Sequence, residues 1–203
     1  MRWTHAAAWP ARITDPDPAT GLVLRSLRMG DASAWQEVRA RNRAWLGRWD
    51  ATAPPGSESE QPTTLRRSLR SLLRMADAGQ ALPLVIEVDG AFAGQVTVNS
   101  VVRGSAQSAS IGYWIDQRYA GRGLVPRAVA LAVDHCFGPG RLHRIEIAVR
   151  PENTNSLRVV EKLGLAEFGY APRYLHIDGA WCDHRLYAVT AEECPGGLRA
   201  RLG

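Results

Sequence analysis

The stretch that decides the fold is Ser108–Val129, SASIGYWIDQRYAGRGLVPRAV. Its first part, Ser108–Asp116, alternates as a strand does, and Leu124 to Phe137 is spaced as a helix. Between them, Gln117–Gly123 is a glycine-bearing turn. A strand that feeds a helix through such a turn leaves unpaired backbone N–H groups at the helix start, where an anion is stabilised. The next apolar alternation, Arg144–Arg150 (RIEIAVR), predicts a strand that returns parallel to the first after a right-handed helical crossover. A nucleotide site is expected at this strand–helix–strand unit.

Working outward, LPLVIEVDGAFAGQVTVNSVV (Leu82–Val102) reads as two strands around Asp89-Gly90, the dipeptide suited to a tight hairpin turn. With Ser108–Asp116 they make three consecutive antiparallel strands. Upstream, Gly21–Leu27 alternates as a strand, and Asp31 is placed to cap a helix carrying Trp35 and Val38. A short helical piece with Trp45, Leu46 and Trp49 follows, then a loop over 51–61. In Thr64–Met75, Leu65, Leu69, Leu72 and Leu73 recur at helical spacing, with Arg66, Arg70 and Arg74 on another face. Downstream, a helix over Thr154–Leu163 stops at Gly164, and two strands around Glu167–Ile177 and Trp181–Thr190 meet at Asp178-Gly179. The pattern predicts an α/β (α+β) fold: a mixed, mainly antiparallel sheet of about seven strands, with a parallel pair and helices on both faces. Residues 1–20, rich in proline, are expected to form a loosely packed arm, 21–190 the domain, and 191–203 a tail.

Composition narrows little. The 203 residues are 45% hydrophobic, enough for one buried core, and carry a net charge of +5. Lys162 is the only lysine, so the cationic charge is almost all arginine. Such charge suits a polyphosphate cofactor or an RNA-rich assembly; direct nucleic-acid binding is not expected. Cys136, Cys182 and Cys194 are odd in number and lack metal-ligand spacing, so free thiols and no metal are expected. Neither a membrane span nor a signal-peptide pattern is seen, so a cytoplasmic location is expected.

SIGYWIDQRYAGRGLVPRAV and RPENTNSLRVVEKLGL (Arg150–Leu165) resemble, in order and spacing, the two signature segments of the GNAT superfamily of N-acetyltransferases. Asn153-x-x-Ser156 with Glu161-Lys162-x-Gly164, and the ending YLHIDGAWCDHRLYAV, resemble its RimJ/RimL-like branch, which acetylates the N-termini of ribosomal proteins. The resemblance implies acetyl-CoA as cosubstrate. Its pyrophosphate would lie on Gly121, Gly123, Leu124 and Val125, with Arg118 and Arg122 adding charge. The backbone of Trp114 and Ile115, at a splayed opening between strands, and Asn153 would hold its pantetheine arm. The family's phosphate loop differs at Ala120 and Val125, a change that leaves backbone donation intact. Asn153 also suits a helix start on capping grounds alone.

Direct acetyl transfer needs a neutral amine, an oxyanion donor and a proton for the leaving thiolate. Many relatives supply that proton from a tyrosine in the helix after the asparagine motif, but Leu157-Arg158-Val159-Val160 contains none, so Ser156 is implied as the donor. Glu146 is the candidate base, its other reading being a carboxylate paired with an arginine. Trp45, Trp49, Tyr113, Arg173 and Tyr174 are candidate acceptor contacts. The expected acceptor is the α-amino group of a ribosomal or other protein. The alternatives are a small amine (polyamine, amino acid or aminoglycoside), succinyl-CoA as donor, and a non-catalytic CoA sensor. A monomer and a homodimer are both compatible with the sequence.

Overall fold

Both Asp-Gly turns form as their chemistry requires. Asp89 and Gly90 have φ of 49° and 80°, and Asp178 and Gly179 have 49° and 83°, the left-handed pair that matches strand twist. In the computed structural model, which describes residues 9–57 and 64–203, these turns join β3 (Leu82–Val88) to β4 (Ala91–Val102) and β7 (Ala166–Ile177) to β8 (Ala180–Thr190). With β1 (Arg12–Thr14), β2 (Leu22–Ser26), β5 (Ser108–Ile115) and β6 (Arg144–Val149) they form one eight-stranded sheet in the order β1-β2-β3-β4-β5-β6-β8-β7. All neighbours are antiparallel except β5 and β6.

The helices are α1 (Ala32–Arg41), α2 (Arg43–Leu46), α3 (Leu65–Asp77), α4 (Leu124–Phe137) and α5 (Thr154–Lys162). Leu82, Leu84, Ile86 and Val88 face the main core together with Ala128, Val129, Ala132 and Cys136 of α4. On the opposite face of β3, Val85 packs with Leu27 and Leu69. Covered on both sides, β3 reads as a continuous apolar run over Leu82–Ile86, and each fully buried leucine or valine contributes about 1.5–3 kcal/mol. The apolar side of α3 lies inward, while Arg66, Arg70 and Arg74 are exposed.

Two local expectations are corrected. Asp31 precedes α1 without capping it, because its carboxylate accepts both Arg25 Nη atoms, at 2.9 and 2.8 Å. The loose arm expected at 1–20 is, from residue 11 onward, part of the packed structure. Arg12–Thr14 adds the edge strand beyond the seven foreseen, and Asp15, 2% exposed, accepts from Arg127 of α4 and Arg199 near the C-terminus, each at 3.2 Å. The rest of the arm, 1–8, and residues 58–61 of the foreseen loop lie outside the described residues. No helix among the described residues is long and apolar enough to cross a membrane.

Candidate active site

β5 and β6 pair over Ser108–Ser110 and Arg144–Glu146 only. Beyond that, β5 continues against β4 and β6 against β8, so the edge of Ile111–Ile115 that would meet β6 carries no strand partner. A cleft of about 830 Å³ opens there and reaches both faces of the sheet. One wall is built from the glycine loop and α5; the other is aromatic.

The glycine-loop wall contains Ala120, Gly121, Gly123, Leu124 and Val125. Gly121 and Gly123 have φ of 78° and 73°, conformations that a side chain strains. Gly123 sits at the N-cap of α4, where no side chain caps the helix, so its first N–H groups remain free to meet an anion. From α5 come Asn153, Asn155, Ser156, Arg158 and Lys162. A Cβ built on Gly123 would lie 3.9 Å from Lys162 Nζ, which brings that ammonium to the loop. Arg158 and Lys162 were missed as candidates; their spacing of four along a helix, beside the singled-out Ser156, was the available signal. Asn153 caps α5, accepting Ser156 N–H at 3.1 Å, and lines the cleft as well.

The loop is anchored by Asp116, which is 1% exposed. Its Oδ2 accepts Arg41 Nη2 at 2.7 Å, and its Oδ1 accepts Asn42 Nδ2 at 2.9 Å and Arg118 N–H at 3.2 Å. Asn42 in turn accepts Gln117 N–H at 3.0 Å. Burial pushes the carboxyl upward, but these donors outweigh it and hold Asp116 at about 2. The end of α1 is thereby tied to the glycine loop.

The structure redistributes several candidates. Trp114, Ile115, Gly121, Gly123, Leu124, Val125, Asn153, Ser156, Trp45, Trp49 and Tyr113 all line the cleft. Arg118 does not; its guanidinium is drawn to Asp116, 3.1 Å from Nε. The Arg122 guanidinium lies over the Tyr119 ring at 5.6 Å. Glu146 accepts Arg144 Nε at 2.6 Å and is not among the residues that line the cleft. Arg173, at a bulge with φ of 48°, donates its N–H to Asp183, and Tyr174 packs on His184, 5.9 Å between rings; neither lines the cleft. Tyr113 belongs to the glycine-loop side: its hydroxyl donates to the Ser156 carbonyl at 3.4 Å, and burial raises its pKa well above the ordinary phenol value.

The aromatic wall is assembled from distant segments. Trp35 and Trp114 meet edge to face at 6.1 Å, and the Arg39 guanidinium lies 5.5 and 5.3 Å from their centroids. Arg39 also pairs with Asp50, and both line the cleft. Trp49 stacks with Arg48 at 4.9 Å and with Arg150 at 5.5 Å. Leu72 of α3 joins this wall and continues it into a smaller groove with Trp35, Leu65, Ser68, Leu69 and Gln95. Among the described residues no cluster of His, Cys, Asp or Glu is placed to hold a metal ion.

A mixed sheet split between parallel neighbours, beside an uncapped helix start, defines a cleft of the acetyltransferase class. Residues 21–166 match the family described as Acetyltransferase (GNAT) domain, and the chain belongs to that family. The chain is similar to Mycobacterium smegmatis RimJ, solved in complex with CoA-disulfide, with 40% identity, a TM-score of 0.87, and coverage of 96% of this chain and 94% of the other. It is 31% identical over 179 residues to the [Ribosomal protein uS5]-alanine N-acetyltransferase of Escherichia coli (strain K12), covering 87% of this chain and 91% of that one. A third relative, the Probable N-acetyltransferase YjcK of Bacillus subtilis (strain 168), is 41% identical over 101 residues, half of this chain and 56% of its own length.

Proposed function

We propose that this acetyltransferase binds acetyl-CoA along the glycine-loop wall and moves the acetyl group directly to the N-terminal α-amino group of a protein, a ribosomal protein being the favoured acceptor. The observation that carries this reading is the meeting of two unlike walls at the split between β5 and β6. The uncapped start of α4 and Lys162 suit a pyrophosphate. The unpaired edge of β5 suits the amide-bearing pantetheine arm, which is recognised as an added strand would be. The aromatic wall suits a peptide end, and the uS5-alanine enzyme among its relatives supports an N-terminal amine as acceptor.

In this reading the neutral amine attacks the thioester carbonyl while a β5 backbone N–H supports the developing oxyanion. The carbon–sulfur bond then breaks, and Ser156 delivers a proton to the thiolate. No acyl-enzyme forms. The test is calorimetric titration with acetyl-CoA, followed in the same sample by thiol release on adding a peptide that starts with alanine or serine. Binding with peptide-dependent release is expected; the absence of acetyl-CoA binding would sink the reading, and binding without release would remove the protein N-terminus as acceptor.

A further inference from the structure

Four charged side chains line the cleft: Arg39, Asp50, Arg158 and Lys162. Arg158 and Lys162 both come from α5, on the glycine-loop wall. Asp50 is the single carboxylate among the lining residues, and it stands on the aromatic wall beside Trp49. The glycine-loop wall thus carries two cations where a polyphosphate would lie, while the aromatic end holds the ion pair of Asp50 and Arg39. An α-ammonium group entering that end meets Asp50.

Asp50 is also held in place and left with capacity to spare. Arg39 binds its Oδ2, while Oδ1 has no hydrogen-bond donor among the described residues. Arg39 itself is fixed between the Trp35 and Trp114 rings. The backbone of the same segment is stitched to the β7–β8 turn: Asp178 N–H donates to the Asp50 carbonyl at 3.0 Å, and Thr52 N–H donates to the His176 carbonyl at 2.9 Å. Gly179 N–H donates to Thr52 Oγ1 at 3.0 Å. A carboxylate positioned from two elements, half-exposed, with one free oxygen, is built to receive a cation rather than merely to neutralise Arg39.

We propose that Asp50 binds the α-ammonium of the acceptor and takes up its proton, an assignment that rests on the N-terminal acetyltransferase reading above. The proton balance closes. Of the two protons that the ammonium sheds on becoming an amide, one leaves to solvent through Asp50 Oδ1. The other ends on the CoA thiolate by way of the Ser156 hydroxyl. Glu146, held by Arg144 outside the cleft, takes no part.

The test compares wild type, Asp50→Asn and Asp50→Glu with two acceptors: an alanine-starting peptide, and the same peptide carrying an aminooxy group in place of the α-amine, which is uncharged at neutral pH. Asp50→Asn is expected to raise the KM for the ammonium peptide about tenfold or more, the usual scale for losing a charge-assisted hydrogen bond. The aminooxy peptide should react alike with wild type and Asp50→Asn, and acetyl-CoA affinity should stay within about twofold in both variants, since the two walls are separate. Asp50→Glu, which keeps the charge on a longer stem, should retain the preference for the cationic acceptor; it carries the test if Asp50→Asn does not fold. Equal losses on both acceptors, or an unchanged KM for the ammonium peptide, would overturn the assignment. Wild type that binds acetyl-CoA yet acetylates neither peptide would overturn the N-terminal reading, and Asp50's role with it.

Discussion

The two walls of the cleft solve the problem of holding a ligand in different ways. The glycine-loop wall works largely through backbone: two glycines in left-handed conformation, an uncapped helix start and an unpaired strand edge. Its main parts lie within one continuous strand–loop–helix and the helix that follows the next strand. The aromatic wall works through side chains drawn from α1, β5, α3 and the segment after α2, with an arginine clamped between two tryptophans. Backbone recognition is indifferent to most substitutions, whereas a side-chain wall can be retuned residue by residue. The cosubstrate end of such an enzyme is thus constrained by conformation, and the acceptor end by composition.

That contrast can be broken or sharpened by substitution. The largest effect is expected at the meeting line: Ser156→Ala should lower kcat by about 100-fold or more, as for loss of a proton donor, with both substrate affinities nearly unchanged. A fall in affinity instead would show that Ser156 only starts the helix. Asp116→Asn comes next, because Asp116 ties α1 on one side to the glycine loop on the other. Removing a buried charge that holds Arg41 should cost about 3 kcal/mol in denaturant titrations and weaken both substrates together.

Because the Asp116 carboxyl is held at about 2, below its unfolded value, its contribution is fully present above pH ~4. It is lost as pH falls from about 4 through 2, so the stability gap between wild type and variant should narrow over that window. Loss of one wall alone would uncouple the two sides.

Gly123→Val should weaken acetyl-CoA about tenfold, since a β-branched residue at φ of 73° must rebuild the start of α4, and should leave peptide KM alone in saturating acetyl-CoA. The mirror experiment, Trp49→Ala, should raise peptide KM about fivefold while calorimetry finds acetyl-CoA affinity unchanged. If either substitution moved the other wall's ligand equally, the division of labour would be wrong.

The same division decides what could be read from the sequence. The glycine loop, α4, Asn153 and both Asp-Gly hairpins are local patterns, and the chain forms each near its expected position. Asp50 carries no local signal. Its meaning comes from Arg39 of α1, which is placed by Trp114 of β5. Short strand β1, bracketed by Pro10 and Pro16, offers too few residues for a period-two signal, and it is secured by Asp15 pairing with arginines 112 and 184 positions away. Arg118 shows the opposite failure: it stands in the loop where a phosphate contact is expected, yet a buried carboxylate two residues earlier captures it. A local motif fixes where a backbone can donate, but a long arginine goes to whichever anion its surroundings desolvate.

The most direct test of the account is to locate the acetyl group in its product. Incubating the protein with acetyl-CoA and an alanine-starting peptide that also contains an internal lysine, then sequencing the product by tandem mass spectrometry, separates the two amines. A single acetyl group on the α-nitrogen is expected; acetylation of the lysine side chain with the α-amine left free would contradict an N-terminal acceptor.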